Sequence, residues 1–322
     1  MTDQSSTRAP ATGAPKDSSD NRIDPEQQAA PWINPEIQRQ VKWRDGDIVV
    51  SVPLKSGTTW TMNIVHQLKS GGDPDLDDVY QEVPWIEFVT GPTVTLDELV
   101  RRIDSMPDRA RRAFKTHAAP GMLPYQAPGS GTDVQYVVVV RNPDEVLASF
   151  YPFVKAHSAE WFALWGIDKQ AFIPPDIRSC FETLGRAMLP GGLFGFLSAW
   201  WPLRHDSNVL LIHFSDMKRD HEGSVRKIAD FLGFEPTAEQ WPAILEYTSF
   251  AWMKRHEHKF EIRHAADAPV LDSGAMVRKG ETGAAREDGV TPELSAELKS
   301  IGEGMLTDER AFEWLYCGGA LP

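Results

Sequence analysis

Several short stretches of this chain have the residue types and spacing to hold an anion or move a proton. In Lys55-Ser56-Gly57-Thr58-Thr59-Trp60 a cation precedes a glycine and is followed by hydroxyls and an indole. Gly57 allows backbone N–H groups to approach a phosphate closely, Ser56, Thr58 and Thr59 add donors, and Trp60 offers a flat face for a base. Arg141 stands at the head of Arg141-Asn142-Pro143, with Ser149 about two helical turns further on. Arg278-Lys279-Gly280 places adjacent cations in a glycine-flanked loop able to fold over a phosphate. His117, in Lys115-Thr116-His117, is a side chain that accepts a proton near neutral pH, as an attacking hydroxyl requires. Of the nine histidines, His256, His258 and His264 lie among Lys and Glu and read as a solvated face.

The surrounding pattern supplies elements to position these groups. The apolar run Ile48 to Val52 leads into Lys55, the run Ala113 to Thr116 ends at His117, and the β-branched run Val134 to Val140 ends at Arg141. Each reads as a buried parallel strand. Asn142 is suited to cap a helix and Pro143 to begin it, so a helix is expected over Asp144 to Phe153. A further strand, Val209 to Phe214, precedes a helix that runs to Phe231-Leu232 and stops at Gly233. Gly121 to Gly131 reads as a long surface connection, and His157 to Gly192 as helices and loops over the ligand edge. The fold class expected is α/β, a single domain with a mostly parallel central sheet flanked by helices. Ligands of such sheets bind beyond the carboxyl ends of the strands, where Lys55, His117 and Arg141 all fall.

Taken together, these motifs resemble the cytosolic sulfotransferases, which use 3′-phosphoadenosine 5′-phosphosulfate (PAPS). Lys55 to Trp60 is similar to that family's P-loop-like 5′-phosphosulfate-binding loop, and Arg141 to Tyr151 to its 3′-phosphate site, where the arginine and Ser149 hold the phosphate. The Arg278-Lys279-Gly280 segment resembles its R-K-G-x-x-G signature, and Phe114-Lys115-Thr116-His117 its K-x-H element. The resemblance implies His117 as base, Lys55 stabilising the leaving oxygen, and Lys115 near the sulfuryl group. Val83-Pro84-Trp85-Ile86-Glu87-Phe88 resembles the V-P-F-x-E-F element, so Trp85 and Phe88, with Phe153, are expected to wall the acceptor pocket. Thr248-Ser249-Phe250 resembles the T-S-F segment, in which the threonine and the phenylalanine contact adenine, completing a sandwich with Trp60. The chain departs from the family at several points. Phe214 stands where a tyrosine is common, Leu54 replaces the proline before the lysine, and Ala284-Ala285-Arg286-Glu287 replaces Asp-Trp-Lys-Asn. The C-terminal dimerisation motif has no counterpart after Gly283, which leaves the oligomeric state open.

Composition narrows the alternatives. The 322 residues suffice for one large domain, expected over residues 31–322. Residues 1–30 carry few large apolar side chains and are expected to be disordered. No apolar run is long enough to span a membrane, no secretory signal is visible, and Cys180 and Cys317 make neither a disulfide framework nor a metal site, so a cytoplasmic enzyme is expected. A formal net charge of −13 without a basic tract argues against nucleic acid. The partner expected is a small-molecule hydroxyl acceptor, an aromatic or steroid-like alcohol rather than a sugar, and no metal is implied. A P-loop kinase is a rival, but the Walker lysine is missing. A non-catalytic relative that only holds the nucleotide is the other.

Overall fold

The computed structural model describes residues 30–107, 111–264 and 267–322. The leading segment expected to be disordered, residues 1–30, lies outside the described residues but for Ala30, as do residues 108–110 and 265–266.

The strands β1 (Asp47–Ser51), β2 (Ala113–Thr116), β3 (Val134–Val140) and β4 (Val209–His213) form one sheet in the order β2-β1-β3-β4, all parallel. Because both faces are covered by helices, the strands are apolar at successive positions rather than alternating with polar residues. Val49, Tyr136, Val138, Val140, Val209 and Leu211 enter one core with the helices Pro143–Lys155, Pro292–Met305 and Glu309–Cys317. Ile48, Val50, Val137, Val139, Leu210 and Ile212 enter the other, against Thr58–Ser70, His221–Leu232 and Trp241–Tyr247. Burying each such Val, Leu or Ile contributes about 1.5–3 kcal/mol relative to exposure.

Register brings the chemistry to one edge. Ser51 pairs with both Thr116 and Val138, and Val140 pairs with His213. The strands therefore release Val52 to Lys55, His117, Arg141 and Phe214 on the same side of the sheet. The segment carrying Trp85 lies along the outer edge of β2: Lys115 N–H donates to the Pro84 carbonyl at 2.9 Å and Ile86 N–H to the Lys115 carbonyl at 3.0 Å. Asn142 caps Pro143–Lys155, its side chain accepting from Asp144 N–H at 2.9 Å, as the sequence predicts.

Some boundaries differ from the expectation. β4 stops at His213, and Phe214 already opens the short helix Phe214–Arg219. The His213 side chain accepts from Ser215 N–H and so caps that helix. A second helix, His221–Leu232, starts at Asp220, whose carboxylate accepts from Gly223 N–H, and ends at Gly233. Residues 177–203 form a nearly unbroken helical rod with two π-type turns, Phe181–Gly185 and Pro190–Gly195. Pro190 lacks an N–H to donate, and the wider turn accommodates that loss. Among the described residues no helix is long and apolar enough to cross a membrane.

Candidate active site

Beyond the carboxyl edge of the sheet lies a cavity of about 580 Å³. One end is cationic, the other aromatic, and His117 stands between them.

The cationic end is built on the turn after β1. Ser56 N–H donates to the Pro53 carbonyl, Lys55 has φ 62° and Gly57 φ 97°, and the helix Thr58–Ser70 begins with no side-chain cap. Its first N–H groups are thus left for a ligand, and the helix dipole favours an anion there. Gly57 is required twice over. Its φ suits glycine, and a Cβ would come within 2.6 Å of the Phe214 ring. The Arg141 guanidinium ties this turn to the next element, donating to the Lys55 carbonyl at 3.1 Å and the Glu281 carbonyl at 3.1 Å while its Nε pairs with Glu145 at 2.9 Å. It also lies 4.5 Å over Phe214. Arg278 and Lys279 complete the cationic end, and both pair with Asp288. Gly280, at φ 63°, packs so closely on Phe250 that a Cβ would meet the ring at 2.3 Å.

His117 is fixed on both sides. Its backbone N–H donates to Glu87 Oε1 at 2.8 Å, the same oxygen that accepts from the Thr116 hydroxyl at 2.9 Å. Its Nδ1 lies 2.6 Å from the Val52 carbonyl. A carbonyl can only accept, so Nδ1 carries the proton and Nε2 keeps a lone pair. Burial and the neighbouring Lys115 hold the ring's pKa well below the usual histidine range, against the bond to Val52. The ring is therefore neutral at physiological pH, with the Nε2 lone pair able to accept a proton. Lys55 lies 4.4 Å over Phe153, and burial, with Arg141 and Arg278 nearby, lowers its pKa to about 7. Lys115 is buried beneath Trp85, its ammonium 3.1 Å from the ring centroid. Burial pushes its pKa well down, with Glu87 opposing.

Trp85 and Phe88 stack at 5.1 Å, and Trp85 meets the His117 ring edge-on at 5.0 Å. With Phe153 they line the aromatic end. Trp32, Trp161 and Phe172 extend it.

Most of the anticipated residues meet in this cavity: Lys55, Gly57, Thr58, Thr59, Trp60, Trp85, Phe88, Lys115, His117, Arg141, Ser149, Phe153, Phe214, Phe250, Arg278, Lys279 and Gly280. Ser56 and Thr248 do not line it. Ser56 is fully buried, its hydroxyl turned to the Leu54 carbonyl. The Thr248 hydroxyl donates to the Ile244 carbonyl and accepts from His221, while its own carbonyl receives the Trp60 indole N–H at 2.8 Å. Thr248 thus acts on the cavity indirectly, its backbone carbonyl holding Trp60 and its hydroxyl meeting the cavity-lining His221. His264, read as solvated, is 4% exposed and stacks on Phe88 at 4.7 Å; burial lowers its pKa to about 4.

Other lining residues escaped the sequence reading. Glu145 carried a signal, since it sits one helical turn after Arg141 where opposite charges pair. His157 carried none; it lines the aromatic end, its Nδ1 donates to the Val154 carbonyl at 3.0 Å, and burial lowers its pKa to about 4. Asp288, in an Arg-Glu-Asp run, resembled any solvated turn. Among the described residues no three side chains of metal-ligating type converge.

Comparison with known proteins bears on this arrangement. Rat sulfotransferase 2A1 (Rattus norvegicus) is 29% identical over 218 residues, 66% of this chain and 69% of its own length. The 3-alpha-hydroxysteroid sulfotransferase of Cavia porcellus is 27% identical over 294 residues, 88% of this chain and 94% of its own. Among solved structures, mouse sulfotransferase SULT7A1 complexed with PAP superposes with a TM-score of 0.64 at 20% identity, covering 87% of this chain and 90% of that one. Retinol dehydratase in complex with androsterone and inactive cofactor PAP gives 0.63 at 20% identity, covering 85% of this chain and 84% of the other. The profile of one family, the sulfotransferase domain, matches residues 45–310, a span that takes in the turn after β1, His117 and the loop carrying Arg278 and Lys279. The chain belongs to the sulfotransferase domain family, which sets aside the kinase alternative.

Proposed function

We propose that this protein transfers a sulfuryl group from PAPS to the hydroxyl of a small, largely apolar alcohol or phenol, with residues 31–322 as the working unit and the cytoplasm as its site of action. The observation that carries the reading is the joining, in one cavity, of a cationic end and an aromatic end with a neutral, oriented histidine between them. The donor-side residues fit PAPS: an uncapped helix N-terminus and Lys55 suit its 5′ end, and Arg141, Arg278 and Lys279 suit a further phosphate. Ser149 lies on the Arg141 side. Trp60 and Phe250 offer ring faces to a base.

PAPS supplies the activated sulfuryl group. The protein's part is positioning and charge stabilisation. His117 Nε2 takes the proton of the acceptor hydroxyl as it attacks. Lys55, charged, neutralises the oxygen that becomes the leaving phosphate, and Lys115 steadies the sulfuryl oxygens. Trp85, Phe88 and Phe153 hold an apolar acceptor, exclude water and orient its hydroxyl toward His117. The relative named for a hydroxysteroid is in keeping with an acceptor of that shape.

Arg141→Ala tests the donor assignment. It removes a charge-assisted clamp and should weaken binding of PAP, the desulfated product, by roughly 1.5–3 kcal/mol in calorimetry. Retention of wild-type affinity would mean the phosphate lies elsewhere. Phe214→Tyr should act in the opposite direction. Restoring the phenol usual in the family should tighten PAP by up to about 1 kcal/mol, and unchanged or weaker binding would show that the adenosine is held differently here.

A further inference from the structure

Asp288 occupies an unusual place for a carboxylate, inside the cationic end of an anion site. Its Oδ2 is 3.1 Å from Arg278 Nη2 and its Oδ1 2.5 Å from Lys279 Nζ. It is presented from an ordered turn. Asp288 N–H donates to the Ala284 carbonyl and Val290 N–H to the Ala285 carbonyl, both at 3.0 Å, while Val290 is buried in the core. Ala284, Ala285 and Asp288 line the same cavity as the cations they face. The charge also reaches Arg141, whose guanidinium Asp288 stabilises and Arg278 opposes. Two cations thus pair with a single carboxylate of the protein itself, and the third, paired with Glu145, feels its charge.

Glu145 plays a different part. Its two oxygens are engaged by Arg141 Nε and by Gly283 N–H, and it shares a helix with Ser149. That makes it a brace that aims the guanidinium. The Arg141–Glu145 pair is only 13% and 12% exposed, whereas Arg278 and Lys279 are 33% and 41% exposed. A ligand can therefore reach the cations held by Asp288 far more readily.

We propose that Asp288 is an internal counter-anion that occupies the phosphate clamp and limits how tightly 3′-phosphorylated nucleotides are held. The proposal rests on the PAPS reading above. A phosphate that enters between Arg278 and Lys279 must displace the carboxylate or lie beside it, and either course costs part of the ion pairing. A nucleotide without that phosphate leaves the pair intact. The penalty therefore falls on the 3′-phosphate alone, and it falls equally on donor and desulfated product, so that the product leaves sooner than an unopposed clamp would permit.

Calorimetry on the full chain with PAP and with adenosine 5′-monophosphate tests this. Asp288→Asn should tighten PAP by roughly 5- to 10-fold and leave the monophosphate unchanged. Asp288→Ala should behave alike, which guards against an asparagine that still occupies the loop. Glu287→Gln, which removes the neighbouring exposed carboxylate, should alter neither ligand. Unchanged or weaker PAP binding in both Asp288 variants, with melting temperatures kept, would overturn the proposal, because the carboxylate would then be ordering the loop. An equal gain for both nucleotides, or the same gain from Glu287→Gln, would overturn it too. A wild type that binds PAP no better than the monophosphate would instead remove the donor reading beneath it.

Discussion

Replacing His117 by Ala is expected to lower turnover by roughly 10²-fold or more while PAP continues to protect the protein against thermal unfolding. The two effects separate because the base acts only as the acceptor attacks, whereas phosphate contacts exist in the ground state. The geometry makes the demand specific. With Nδ1 committed to the Val52 carbonyl, Nε2 is the nitrogen able to take a proton. The pH profile carries a matching signature. Burial and Lys115 keep His117 neutral well below the usual histidine range, so kcat/KM for the donor should show no acid limb near 6.5. Lys55, with its pKa lowered to about 7, is charged below that value and loses its proton above it. Activity of the free enzyme should therefore fall as pH rises through about 7, and the limb in kcat should lie higher, because donor phosphates favour the ammonium. Near-normal turnover of His117→Ala with every acceptor would exclude the histidine as base.

Asp47→Ala should destabilise the fold by about 3–5 kcal/mol, a large share of the roughly 5–15 kcal/mol that holds a domain together. Asp47 opens the central strand β1 and is 1% exposed; Arg112, 3% exposed, opens the way into its neighbour β2. Arg112 Nε donates to Asp47 Oδ1 at 2.9 Å, its Nη2 reaches both Asp47 Oδ2 and the Lys42 carbonyl, and Arg44 N–H donates to Asp47 at 2.8 Å. Removing the carboxylate leaves a buried guanidinium without its counter-charge. The double replacement Asp47→Leu with Arg112→Met removes both charges and should recover most of the loss. Urea unfolding measures both, and a loss below about 1 kcal/mol in Asp47→Ala would contradict the account.

The strands and the motifs that meet in the cavity were legible because each has a local signature. Ala113–Thr116 and Val134–Val140 appear in the structure with the bounds their apolar runs suggest. The sequence predicts a strand through Phe214 because an aromatic after Leu-Leu-Ile-His continues the apolar run; the cap from His213, a contact between side chain and backbone, ends it one residue sooner. The helical rod over residues 177–203 was hidden by Pro190, Gly191, Gly192 and Gly195, which speak against a helix singly and are absorbed by a π-type turn. At the site, residues in recurring motifs were found, and residues whose importance lies in what the tertiary fold places opposite them were not. His264 looks solvated beside its charged neighbours, yet packing seals it against Phe88 and Trp165. Asp288 and Arg278 are close in sequence, but only the turn over 284–290 directs the carboxylate back onto the cations.

The strand order β2-β1-β3-β4 also governs how the molecule comes into being. β1 is central, yet both its partners follow it in the chain, and β3 must cross past it after β2 is laid down. Parallel pairings of this kind close long loops before they are rewarded, which makes the folding of such a sheet slow. The turn holding Lys55 emerges first in synthesis, Arg141 follows, and Arg278 with Lys279 comes last of the three. The anion site proposed above therefore exists only once all three segments have been made and ordered. A nucleotide that stabilises the native state does so for finished molecules alone, so the cell's own pool of ligand would shield completed chains from proteolysis and leave partial ones exposed.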